Sequence, residues 1–159
     1  MNEIKFNSYS KDYNWLSNFY EQNSLLYLTI LKNKIPFSSV EAAFQSLKLL
    51  YLLEKIPAVD LISYFKAFSR LSKSNAKKSG NKLLIDIKKW ENDRLLNMEE
   101  LVLRKFQNPS LKAKLIATGN DKLIEFNTGS KFWGVDQFSN GENHLGIILE
   151  KVRTKIKNI

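Results

Sequence analysis

The stretch SSVEAAFQSLKLL at positions 38–50 constrains the fold more than any other part of the chain. Its period is helical, yet its polar residues are the minority. At 100° per residue, Glu41, Gln45 and Lys48 lie at about 0°, 40° and 340°, a stripe roughly 60° wide. Leu47, Leu49, Leu50 and Leu53 cover the other sides. A helix this apolar has to be buried over most of its surface. The domain must therefore be built around it, and the polar seam faces either a narrow solvated strip or a cavity. Ser38, with Glu41 three positions on, has capping-box spacing, which predicts a helix from about Ser39 to about Leu53, ended by Pro57.

The flanking sequence fills in the class. IKFNSYS near the start and SLLYLTILKNKIPF at 24–37 have the composition of short strands, the second carrying a Lys32-Asn33-Lys34 turn. Helical patterns follow at about 59–69, 72–79 and 88–107, with Gly80-Asn81 as punctuation. Asn108-Pro109 reads as an N-cap with proline at the first helical position, opening a short helix that Gly119 closes. Residues 127–144 are turn-rich, and a last helix is expected over about 145–157. The order predicts an α+β fold: one helix-rich domain over 1–159, its small sheet built mainly from the N-terminal third.

Composition narrows the chemistry. Zero cysteines exclude disulfides and thiolate-bound zinc, and a single histidine, His144, argues against a His-based metal site or a Ser/His triad. No cofactor is expected. Chemistry must come from carboxylates, lysines, amides and aromatic rings. No apolar run reaches the ~18 residues of a membrane span, and MNEIKFNSYS lacks the layout of a secretory signal. The expectation is a cytoplasmic protein with no membrane partner. The net charge of +9 would favour phosphorylated ligands or nucleic acid. The charge is scattered, however, and rests on 21 Lys against 4 Arg in an Asn- and Ile-rich chain, a skew that AT-rich coding alone produces.

Four stretches stand out together: LSNFY at 16–20, VEAAFQSLK at 40–48, KKW at 88–90 and FWGVDQFSNGENHLG at 132–146. As an ordered set, covering nearly the whole chain, they resemble the NADAR (YbiA-like) family. The matching residues are Ser17, Asn18 and Phe19; Glu41, Phe44, Gln45 and Lys48; Gly80; Trp90; and Trp133 and Gly134 with Gly141, Asn143, Leu145 and Gly146. Three positions depart from the family pattern. Ser130 stands where an Asp commonly precedes the WG pair, Val135 where some relatives have an acid, and His144 where a basic residue, often Arg, precedes LG.

The resemblance implies an N-glycosidase whose substrate carries a phosphoribosyl or ADP-ribosyl group on the exocyclic amine of a heterocycle. Early pyrimidine intermediates of riboflavin biosynthesis and ADP-ribosylated guanine, including ADP-ribosylated DNA, are the two types. Such a glycosylamine opens to an imine once its ring oxygen is protonated. Lys48, its pKa lowered by burial, could then attack C1 as a Schiff-base nucleophile while Glu41 moves protons. These two residues lie two turns, roughly 10 Å, apart along a helix. Gln45 would orient a hydroxyl or water, Trp90 and Trp133 would stack the heterocycle, and Asn18 and Asn143 would bind the sugar. The competing scheme pairs Glu41 with a second carboxylate, for which Asp136 is the candidate. Two other functions compete with hydrolysis: a non-catalytic ADP-ribose or nucleotide-binding module, and a basic nucleic-acid-binding protein.

Overall fold

The computed structural model describes residues 1–23 and 26–159. The first two residues of the segment expected to form the second strand, Ser24 and Leu25, lie outside the described residues. The chain divides into two compact units, Met1–Tyr20 with Val102–Ile159, and Glu21–Leu101. Among the described residues no helix is long and apolar enough to cross a membrane.

The first unit is discontinuous in sequence. Strand β1 (Glu3–Phe6) pairs in parallel with β4 (Lys122–Glu125), Ile4 opposite Leu123. A two-stranded ribbon is marginal by itself, and here helix α6 (His144–Lys157) secures the far edge of β4 with side chains. Glu150 accepts from the Leu123 amide at 2.8 Å, and Asn143 accepts from Glu125 N at 3.0 Å while donating to Leu123 O at 2.9 Å. The odd-numbered amides of β4, which point away from β1, are thus satisfied. Helix α5 (Pro109–Ala117) begins as the Asn-Pro pair predicts, with Asn108 accepting from Leu111 N. Phe6, Leu16, Phe106, Leu115, Leu123 and Leu145 are buried at 0% exposure and form the core of this unit.

The second unit opens on an antiparallel hairpin, β2 (Leu26–Ile30) and β3 (Asn33–Phe37). Its turn sits at Leu31-Lys32, one residue before the expected centre, and both residues have positive φ (46° and 67°). That left-handed geometry matches the twist of the strands but is adopted here without glycine. Among the described residues the strands therefore form two two-stranded ribbons, and three of these four strands come from the first 37 residues. Strand β4 was not expected.

Helix α1 spans Val40–Leu47 and is capped by Ser39, whose side chain accepts from Ala42 N at 3.2 Å. Ser39, and not the expected Ser38, is the N-cap, so Glu41 is not half of a capping box. The α-helix also ends earlier than the period suggested and continues as a 3-10 turn over Lys48–Tyr51. The reason is tertiary: Leu53 N donates to Leu84 O and Asp86 N to Tyr51 O, which draws the backbone out of the helix. Helices α2 (Ala58–Ser69), α3 (Lys73–Asn81) and α4 (Ile87–Lys105) lie close to their expected positions. Pro57 opens α2, and Ser72 caps α3. The unit boundary falls within α4.

Candidate active site

The polar stripe of α1 faces inward. Glu41 and Gln45 are 7% and 5% exposed, whereas Leu50 and Leu53 are 49% and 68% exposed. Two buried polar side chains on consecutive turns need partners, and they provide one for each other: Gln45 Nε2 donates to Glu41 Oε1 at 2.8 Å. The Gln45 oxygen has no hydrogen-bond partner among the described residues. It lies against Gly80 of α3, so close that a β-carbon there would collide with the carboxamide. Gly80 is thus a packing requirement of Gln45.

Burial is the main influence on Glu41 and raises its pKa, opposed by the Gln45 hydrogen bond and then by Lys77 and Lys48. Its place in the first turn of α1 would favour the ionised form, but desolvation prevails. Lys48, half-buried, is shifted the other way: burial lowers its pKa, Glu41 opposes this, and Lys77 adds to it. Lys48 Nζ makes a long contact of 3.4 Å with Asn81 Oδ1 and sits 5.7 Å from the centre of the Trp90 ring. Helix α1 and the turn that continues it therefore meet α3 at two rungs, Gln45 against Gly80 and Lys48 with Asn81, while the charge of Lys77 is felt at Glu41.

Trp90 completes this cluster as the edge of an aromatic group. Its ring centre is 4.9 Å from that of Phe44 and 5.1 Å from that of Tyr51, the latter edge-on. Tyr51 is itself placed by Asp93, to which its hydroxyl donates at 3.0 Å, and by Asn97, which donates to it at 3.0 Å. Asp86 starts α4 by accepting from Lys89 N, which sets Trp90 on the first turn. Glu41, Phe44, Gln45, Lys48, Gly80 and Trp90, singled out from the sequence, are thus brought together in the second unit. Lys77, Asn81 and Tyr51 were missed. Only the proximity of Asn81 to Gly80 in sequence could have pointed to one of them.

The other candidates belong to the first unit. Ser17 and Asn18 are 2% and 6% exposed. Ser17 makes its own turn, its hydroxyl accepting from Phe19 N at 3.1 Å and its carbonyl from Tyr20 N at 3.2 Å. Trp133, partly exposed, packs edge-on against Phe132 at 4.8 Å, and its amide donates to Ser130 Oγ at 3.0 Å. Ser130 therefore caps the turn that leads into Trp133. Gly134 passes so close to the Glu125 carbonyl that a β-carbon would strike it. Asn143 adopts φ 54° and engages β4 with both ends of its amide. Asp136 accepts from Phe138 N and Asn140 N, each at 2.9 Å, and pairs with Lys131 at 3.4 Å. The Asn140 amide is the main reason its pKa falls below the usual carboxylate value. Among the described residues no group of three or more His, Cys, Asp or Glu is placed to hold a metal ion.

A buried acid on α1 and a half-buried lysine on the turn that continues it, beside a tryptophan, belong to a chain that a known domain family matches. The chain belongs to the NADAR domain family, whose pattern it matches over residues 5–157. It is similar to an N-glycosidase of Nostoc punctiforme, 35% identical over 71 residues, which is 44% of this chain and 46% of that protein. It is also similar to the N-glycosidase YbiA of Escherichia coli, 33% identical over 70 residues, 43% of this chain and 44% of that one. The chain spans less than half the length of these curated relatives. The solution structure of E. coli YbiA superposes with a TM-score of 0.75 at 26% identity, covering 99% of this chain and 86% of that chain.

Proposed function

We propose that the protein is an N-glycoside hydrolase that cleaves the bond between the anomeric carbon of a phosphoribosyl or ADP-ribosyl group and the exocyclic amine of a heterocycle. The observation that carries this reading is the pairing of Glu41 on α1 with Lys48 on the turn that continues it, the acid pushed up and the amine pushed down by burial. Burial disfavours the charged form of each group, so it makes the protonated acid and the free amine more accessible than they are in water.

Glu41 delivers a proton that opens the sugar ring to an imine at C1. The neutral Lys48 amine adds to C1, a proton passes to the exocyclic nitrogen, and the heterocyclic amine leaves as the C1–N bond breaks. Lys48 is then bonded to the sugar as a Schiff base. Water adds to that imine, Lys48 is expelled, and the sugar departs as the aldehyde. The sum is addition of one water across the glycosidic bond. Gln45 holds the Glu41 carboxyl in place, and Trp90 with Phe44 provides a flat apolar surface for the heterocycle.

The whole chain acts in this reading as one NADAR domain working in the cytoplasm, where phosphorylated substrates are held. Its charge of +9 favours a substrate that is itself polyanionic, such as ADP-ribosylated DNA. The test incubates the protein with an ADP-ribosylated guanine oligonucleotide and, separately, with a phosphorylated ribosylamino-pyrimidine, and follows release of the sugar. Release from neither overturns the reading; tight binding without release points to a non-catalytic module. Borohydride should trap a covalent adduct that is lost in Lys48→Ala, and full activity of that variant would eliminate the Schiff base.

A further inference from the structure

Lys48 is not carried by a regular helix. It opens the 3-10 turn Lys48–Tyr51, and in such a turn residues three apart lie one above the other, so Lys48 and Tyr51 leave the backbone on the same side. Hydrogen bonds within a 3-10 turn are poorly aligned, and a turn this short has little to hold its shape by itself. Contacts from outside must set it, and Tyr51 supplies them from both its ends. Its carbonyl accepts from Asp86 N at 2.8 Å, just before α4. Its hydroxyl donates to Asp93 Oδ2 at 3.0 Å and accepts from Asn97 Nδ2 at 3.0 Å. Trp90, Asp93 and Asn97 share one stripe of α4, roughly 60° wide at 100° per residue. Tyr51 therefore lies along that stripe, its ring edge-on to Trp90 at 5.1 Å, while Lys48 Nζ stands 5.7 Å from the centre of the same indole. Packing against Trp90 needs only an aromatic ring, which phenylalanine would supply. The two bonds of the hydroxyl do something further: they fix how the turn sits on α4. All of these residues belong to the second unit.

We propose that Tyr51 is a positioning residue for Lys48: tied to Asp93 and Asn97, it fixes the turn that carries the lysine and so holds Nζ beside Trp90. This rests on the reading of Lys48 as the nucleophile. It is tested with Tyr51→Phe by steady-state kinetics on the phosphorylated ribosylamino-pyrimidine and by NMR titration of the lysine side chains, the Lys48 signal being assigned by its loss in Lys48→Arg. The expected result is a kcat lowered about 10-fold with KM within about twofold of the wild type. The titration midpoint of Lys48 should also rise toward that of an ordinary lysine, because an amine released from its half-buried place regains water. A hydroxyl that served the fold alone would lower the melting temperature and leave kcat and the midpoint where they were. An unchanged kcat, or an unchanged midpoint, overturns the proposal. If the wild-type chain releases no sugar, the hydrolase reading falls by itself, and the Lys48 midpoint alone decides whether Tyr51 places that amine. Should Tyr51→Phe not fold, Asn97→Leu takes its place, since it removes one of the two bonds and no charge. A smaller rise of the Lys48 midpoint is then expected, and none overturns the proposal.

Discussion

Gln45 and Gly80 are fitted to one another across two helices: the oxygen of the Gln45 carboxamide lies against Gly80, while its nitrogen is fixed by Glu41 at 2.8 Å. A methyl group at position 80 would push the carboxamide aside and release the Glu41 carboxyl. Gly80→Ala gains about 1 kcal/mol of helix propensity and loses about 1–3 kcal/mol to overpacking. The net loss is about 0–2 kcal/mol, so the melting temperature should hold or fall by up to about 8 °C. Turnover should fall about 100-fold, the usual result of misplacing a catalytic group by an ångström. Calorimetry beside kinetics checks both, and a fully active Gly80→Ala would mean that Gln45 does not hold Glu41 for catalysis.

The activity should depend on pH through the Glu41 and Lys48 pair. Lys48 acts as the free amine, so its contribution grows as pH rises through its lowered pKa. Glu41 acts as the acid, so its contribution declines as pH rises through its raised pKa. The product is a bell whose limbs belong to the pair. The Gln45 hydrogen bond lowers the Glu41 pKa, so Gln45→Leu should move one limb to higher pH. Glu41→Gln should abolish that limb. A profile that does not change shape in either variant would contradict the acid role.

Asp136 separates the two chemistries. Its carboxylate organises its own loop through Phe138 N and Asn140 N, and its pKa is lowered, which suits the ionised member of a carboxylate pair and not the acid. Asp136→Asn retains an oxygen for both amides. Under the Schiff-base scheme its kcat should stay within about threefold of the wild type, whereas loss of half of a carboxylate pair would cost on the order of a thousandfold. Kinetics on this one variant decides.

Lys105 should leave a mark on stability. Its folded pKa, about 7, lies below the ~10.4 of an unfolded lysine. Between these values the unfolded chain binds the extra proton, so stability rises with pH across that window. It is lowest below about 7, where a buried ammonium must be kept. Denaturation of the wild type should show this gain relative to Lys105→Met, with a slope approaching about 1.4 kcal/mol per pH unit. Parallel curves for the two proteins would mean that Lys105 titrates normally.

Those elements that announce themselves locally were legible in the sequence. The helices beginning at Lys73, at Pro109 and at His144 follow cap residues or turns placed where the backbone needs them, and the Glu41–Gln45–Lys48 stripe follows from the helical period alone. What failed depended on distant partners. Strand β4 is four residues long, and its edge is satisfied by Glu150 and Asn143, so no local pattern marks it. The early end of α1 is imposed by the backbone at 84–86. Lys77 and Asn81 reach the site through a helix crossing that spacing along the chain does not encode, and Tyr51 joins it because the turn after α1 sets its ring against Trp90. The engagements of Asn143 and Asp136 could not be read either, since amides elsewhere in the fold determine them.

The parallel pairing of β1 with β4 has a consequence for synthesis. Ile4 and its partner Leu123 are 119 positions apart, and at roughly 5–20 residues per second a nascent chain waits on the order of ten seconds between them. Throughout that interval Ile4 and Phe6 have no strand to join, while residues 21–101 already contain everything their own unit uses. The ribosome thus delivers the inner unit first and completes the outer one last.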